Sequence, residues 1–153
     1  MVQKKTHMEH SGCPVACALD IVGDHWTLLV IRDLMFLGIH EYKEMLAGAE
    51  GISSNILTDR LKRLEGNGLI ASMPHPESRK RKLYYLTAKG KDLIHTMVHL
   101  IRWSEKHLSD RLEIPPEKRD LLVNDPDRFV ALTLQQLVRW EKENFGPPRD
   151  KRS

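Results

Sequence analysis

The chain has two cysteines among its 153 residues, and no apolar run approaches the ~18 residues of a membrane span. Two cysteines are too few for a disulfide scaffold, so Cys13 and Cys17 are expected as reduced thiols. The most apolar early stretch, CPVACAL, is stopped by Asp20 and followed by no small-residue cleavage pattern, so the expectation is a cytoplasmic protein without a membrane partner. There is also no glycine-rich phosphate loop, nucleophile elbow or paired general acid and base. No catalytic residue and no cofactor are expected, and the reading is not enzymatic. His95 and His99 lie one helical turn apart and His7, His10 and Cys13 have ligand-like spacing, but the first pair lacks a third ligand and the second set lies in an N-terminal arm. No metal site is expected from either.

What is present is enough apolar residue, 41%, for one core burying about two thirds of the unfolded surface. The net charge of +3 is unevenly placed. Residues 59 to 91 hold nine Lys or Arg against three Asp or Glu, a net of +6, so the remainder sums to −3. A local basic segment suits a polyanionic partner, although a charge run is by default a solvated face.

Along the chain, PVACALDIVG reads as a helix with Pro14 at its first position and Gly23 as its stop. Asp24 caps a second helix, HWTLLVIRDLMFLG, apolar on most faces and therefore central, with Trp26 expected in the core. Residues 40 to 48 give a third short helix, and a turn through AEGIS leads to GISSNILTDRLKRLEGNGLI. There Ser53 is the cap, Leu57, Leu61 and Leu64 form a core-facing stripe, and the helix ends at Gly66 or Asn67 in a left-handed residue. Leu69–Met73 and Lys82–Leu86 are candidate strands around the basic loop PHPESRKR. A helix from Thr87 to about Leu108 has apolar residues on more than one face; 109 to 124 reads as a connector, and a last helix covers about 125 to 145.

Two short helices joined by a tight turn and followed by a basic hairpin make a winged helix-turn-helix, so the expected fold is mainly α with a small β-hairpin. On its second helix, Asn55, Asp59 and Lys62 lie roughly opposite the leucine stripe, with Thr58 and Arg63 on its flanks. Ser54, Asn55 and Thr58 sit early in that helix, where base edges are met; Lys62, Arg63, Arg79, Lys80 and Arg81 are candidate phosphate contacts. Asp59 either accepts from a cytosine amino group or pairs with Lys62 or Arg63, and the pair is favoured.

These segments resemble the HxlR-type transcriptional regulators, bacterial relatives of the MarR regulators. The resemblance rests on CPV at 13 to 15, GDHWTLLVIRDL at 23 to 34, EYKEM at 41 to 45, the 51 to 70 segment and KRKLYYLTAKG at 80 to 90. It covers residues 13 to 108, giving a DNA-binding domain there and, in 109 to 153, an extension with one helix and a disordered tail. It implies a dimer with terminal helices at the interface, and it fits the unusually broad apolar surface of the 87 to 108 helix. The partners expected are a second copy and a pseudo-palindromic operator in double-stranded DNA, with no small-molecule effector specified. Phe129, Leu132, Leu137 and Trp140 would extend the interface or fold back on their own subunit. The chain departs from the family at Glu41, where a basic residue usually precedes the aromatic, and at Lys82 and Leu83 in the wing.

Cys13 stands at the mouth of the first helix with Lys4 and Lys5 upstream, and some family members sense oxidants or electrophiles through a cysteine there. Cys17 reads as a packing residue. Two readings compete with DNA binding. A winged helix used only for protein contacts leaves the basic hairpin unexplained. A thiol redox enzyme needs better-aimed sulfurs than a pair four residues apart provides.

Overall fold

The computed structural model describes residues 6–145; Lys4, Lys5 and the PPRDKRS tail lie outside the described residues. The chain divides into two compact units, Met1–Asp92 and Leu93–Ser153. The division falls inside the segment that the sequence assigns to one domain.

In the first unit, helix α1 (Pro14–Val22) is followed by α2 (Thr27–Phe36), α3 (Tyr42–Leu46) and α4 (Ser54–Gly66). Strands β1 (Ile70–His75) and β2 (Ser78–Leu86) form one antiparallel hairpin, and a single turn, α5 (Ala88–Lys91), closes the unit. Helix α2 is central because its apolar residues point to several neighbours. Val30, Ile31, Leu34 and Met35 are buried together with Met45 of α3, Leu57, Leu61 and Leu64 of α4, and Leu83, Tyr84 and Leu86 of β2. Trp26 differs from expectation: it precedes the helix, is half-buried, and meets the His25 ring edge-on at 5.0 Å.

The joint between α4 and the hairpin contains no spare residue. The left-handed residue is Gly68 (φ 73°), whereas Asn67, where the sequence placed the helix end, keeps φ −86°. Leu69 N donates to Leu64 O (3.0 Å) and Gly68 N to Glu65 O (3.0 Å), which is the Schellman pattern. Leu69 is buried, as is Leu64. Both strands run beyond their expected ends into what reads as a loop, leaving only Pro76 and Glu77 between them. Pro74 still pairs with Lys82, but His75 pairs with Ser78, so residues 79 to 81 bulge out of register. A proline without an amide hydrogen beside the slip interrupts the ladder there.

On the other edge of β2, the segment between α2 and α3 adds a short pairing. Tyr84 N donates to His40 O (2.8 Å), and His40 Nδ1 donates to Tyr84 O (2.8 Å). This explains the unusual pleat at Lys82 and Leu83: neighbouring Leu83 and Tyr84 are both buried because β2 is covered from both sides.

The helix expected from Thr87 to Leu108 is broken. Asp92 and Leu93 keep helix-like torsions with ψ flattened to −19° and −9°, and α6 starts afresh at Ile94–Leu108. In the second unit α6 packs with α7 (Pro116–Asn124) and α8 (Pro126–Phe145). Helix α7 replaces the expected connector. Pro116 occupies its first turn, and its apolar residues Leu121, Leu122 and Val123 are consecutive rather than periodic, which hid it. Phe129 and Leu137 of α8 are buried within this unit, whereas Leu132 is 39% exposed.

His40 couples this fold to pH. Burial pushes its pKa below the ordinary 6.5, against the opposing effect of the Tyr84 carbonyl. Between those values the unfolded chain binds the extra proton, so this stability is complete above 6.5 and is lost as pH falls toward the depressed value. The unfolding free energy from denaturant titration should therefore fall as the pH is taken below 6.5. His40→Asn, which can still offer Tyr84 an N–H, should show a smaller drop.

Candidate nucleic-acid interface

Helix α4 begins where Ser53 Oγ accepts from the Ile56 amide (3.3 Å). Leu57, Leu61 and Leu64 turn inward, which leaves Ser54, Asn55, Thr58, Asp59, Lys62 and Arg63 exposed. The leucine stripe decides which face turns inward. Two polar contacts, one on each flank of that stripe, pin the rotation more closely.

The first is Asp24. Its Oδ1 accepts from the amides of Trp26 (2.8 Å) and Thr27 (3.0 Å) and from Arg60 Nε (2.9 Å), while the Thr27 hydroxyl donates to Oδ2. Burial would raise the Asp24 pKa, but the hydrogen bonds from Thr27, Trp26 and Arg60 outweigh it and hold the carboxyl well below the usual carboxylate range. Asp59 pairs with this same Arg60, not with Lys62 or Arg63 as the spacing suggested. The second contact is Tyr42, whose hydroxyl donates to Ser54 O (3.1 Å) and lies 3.2 Å from Thr58 Oγ1. Sequence reading missed both Arg60 and Tyr42. Arg60 follows Leu57 by three residues and precedes Leu64 by four, so its stem flanks the core; the sequence shows nothing of the Tyr42 hydroxyl's reach to α4.

The turn between α3 and α4 is also tied down. Arg32 of α2 binds Asp33 Oδ1 through Nε (3.0 Å) and Nη2 (2.7 Å), and reaches Glu50 in the turn. Hydrogen bonding from Arg32, against a smaller opposing burial, lowers the Glu50 pKa.

Among the cations, Lys62, Arg79 and Lys80 are exposed, and their side chains make no hydrogen bond or ion pair with the described residues. Arg63 instead places Nη2 3.5 Å from Asp20 O at the end of α1. Arg81 is held by Glu41, whose Oε1 accepts from Nε (2.8 Å) and Nη2, with His75 Nε2 3.9 Å away. That hydrogen bond lowers the Glu41 pKa. Glu41, where the resemblance led to an expected basic residue, thus has a visible partner. Ser54, Asn55, Thr58 and Lys62 share α4, and Arg79 and Lys80 lie in the out-of-register bulge.

Cys13 is exposed at the cap of α1, with its amide donating to Ser11 Oγ (3.1 Å). Cys17 is half-buried, and its thiol faces Ser11 O at 3.4 Å. Among the described residues no group of three His, Cys, Asp or Glu could hold a metal ion, and no single described helix is long and apolar enough to cross a membrane.

The sequence profile of the HxlR-like helix-turn-helix family matches residues 21–112. An uncharacterised HTH-type transcriptional regulator of Mycobacterium bovis is 37% identical over 107 residues, covering 70% of this chain and 66% of that protein, which is less than two thirds of its length. The crystal structure of PA1607 is similar at a TM-score of 0.59 and 34% identity, covering 72% of this chain and 73% of that one. The oxidised form of the redox regulator HypR is similar at a TM-score of 0.55 and 26% identity, covering 62% of this chain and 97% of HypR.

Removing Asp24 should test its hold on α4. Asp24→Ala loses a helix cap and a charge-assisted tie, a cost of about 2 kcal/mol in urea unfolding. Arg60→Leu keeps the cap and should cost less, about 1 kcal/mol, while speeding amide exchange in α4.

Proposed function

This chain belongs to the HxlR-like helix-turn-helix family of transcriptional regulators, and we propose that it binds a pseudo-palindromic DNA operator as a homodimer, in a sequence-specific way. The observation that carries this reading is the outward polar face of α4, held in rotation by Asp24 and Tyr42. A helix of this kind fits the major groove, where all four base pairs are distinguishable. Ser54, Asn55 and Thr58 contact bases. Lys62, Arg79 and Lys80 engage phosphates; Arg63 and Arg81 join them on exchanging Asp20 O and Glu41 for a phosphate oxygen.

Dimerisation is supported by apolar side chains that neither unit buries. Val15 and Leu19 of α1 are 66% and 51% exposed, and Leu100 and Leu108 of α6 are 49% and 43% exposed. A two-fold axis would set two α4 helices on half-sites roughly 34–36 Å apart.

A second reading concerns regulation. Cys13 is exposed at a helix mouth, and the similar HypR is a redox regulator. We infer that oxidation or alkylation of Cys13 alters operator affinity. Mild peroxide or quinone should change the affinity of the wild type but not of Cys13→Ser; an unchanged wild type, or an equal response in the variant, refutes it.

Operator fragments selected from genomic DNA and titrated by fluorescence anisotropy test the main reading. Affinity should fall steeply with salt, and joint replacement of Arg79 and Lys80 by Ala should weaken all sequences alike and reduce the salt slope by about 2. Asn55→Ala should instead change the preferred site, by about 1–3 kcal/mol at one base position. Glu41→Gln should strengthen binding to all sequences by releasing Arg81. Salt-insensitive binding, or none to any fragment, refutes the proposal, as does a monomeric mass at micromolar concentration for the dimer.

A further inference from the structure

The family profile ends at residue 112, so α8 lies beyond the matched segment. One face of α8 is committed to its own subunit, because Phe129, Val130, Thr133 and Leu137 are buried in the second unit. The opposite face is patterned as well. Advancing 100° per residue gathers Asp127, Ala131, Leu134, Gln135, Val138 and Lys142 into one stripe about 100° wide. Leu134 is half-buried and Val138 is 42% exposed. Beside them a furrow lined by Leu134, Gln135, Val138, Arg139 and Lys142 lies open between two rows of side chains four residues apart. Helices pack by laying a row of one into such a furrow of the other.

The stripe is its own complement. Its spacings run four, three, one, three and four, so reversing the helix about the midpoint between Leu134 and Gln135 returns the same positions. Asp127 then falls on Lys142, Ala131 on Val138 and Leu134 on Gln135. A two-fold interface requires this kind of self-matching surface. Asp127 and Lys142 are exposed at opposite ends of the stripe, and their side chains make no hydrogen bond or ion pair with the described residues. A partner of a single charge sign would be repelled at one end. A second copy, reversed, is matched at both.

We infer that the outer face of α8 docks antiparallel on the same face of α8 in a second copy of the chain. Leu134 and Val138 form the apolar centre, the small Ala131 lets the facing Val138 approach closely, and Asp127 pairs at each end with Lys142 of the partner subunit. The contact rests on the homodimer reading. A stripe one helix wide and about 22 Å long buries less than the roughly 800 Å² per partner of a standard stable interface, so it adds to the association through α1 and α6 and does not replace it.

The test is sedimentation equilibrium of the full chain without DNA, so its outcome is independent of operator binding. Asp127→Lys and Lys142→Asp should each weaken self-association about tenfold. An equimolar mixture of the two variants should regain the wild-type association, since only mixed pairs carry opposite charges at both ends. Each substitution also opposes the helix dipole, but equally in mixed and unmixed pairs, so the mixture isolates the contact. Val138→Asp, at the apolar centre, should weaken association by about tenfold or more while keeping the wild-type helix content by circular dichroism. Wild-type dimers indifferent to Val138→Asp, or a mixture no tighter than either variant alone, overturn this inference and leave the homodimer standing. A monomeric wild type removes both.

Discussion

A single carboxylate, Asp24, couples the start of the central helix to the helix that faces outward. It caps α2 through the Trp26 and Thr27 amides and grips Arg60 of α4 with the same oxygen. Neither task could move to another residue without shifting the other, since the cap geometry places Oδ1 and Oδ1 places Arg60. Leu57, Leu61 and Leu64 bury α4 and fix which face it turns inward, but apolar contacts leave it room to rock by a few degrees. At 100° per residue, Thr58 and Arg60 fall on opposite sides of Leu57, so the Tyr42 and Asp24 contacts bracket the stripe. The stripe exposes Asn55 and Lys62, and the bracket steadies the face they share.

The local excess of +6 charge overstates the cation free to meet another molecule. Arg60 serves the fold, Arg63 turns to the end of α1, and Arg81 is matched by Glu41. Glu41, at the cap of α3, therefore keeps one cation of the wing occupied. Exposed ion pairs are individually weak. Their weight here lies in where they hold long side chains, which otherwise sample many rotamers.

Much of the α4 surface was legible in the sequence because a leucine stripe at spacings of four and three declares its inward face, and Ser53 behaves as a cap. The winged-helix fold was legible for the same reason: the elements stand in order at short spacing. What was not legible depended on pairing across the chain. The register slip beside Pro74 moved Arg79 to Arg81 from a loop into a strand. The Glu41–Arg81 and Asp24–Arg60 pairs span 40 and 36 residues. Helix α7 lacked a periodic face, and the break at Asp92 carries no proline or left-handed glycine to announce it.

The Schellman joint at Gly68 has a mechanical meaning. Leu69 is hydrogen-bonded back to Leu64 and is buried, and the next residue already belongs to β1. Helix and hairpin therefore share a hinge with no slack, and they behave as one bent tool of set angle rather than two arms that close independently. On a duplex, the distance between what the helix meets and what the hairpin meets is then dictated by the protein. Under the operator binding proposed above, a mismatch in groove width would fall on the DNA, so stiff and pliable base steps would be distinguished at positions that no side chain touches.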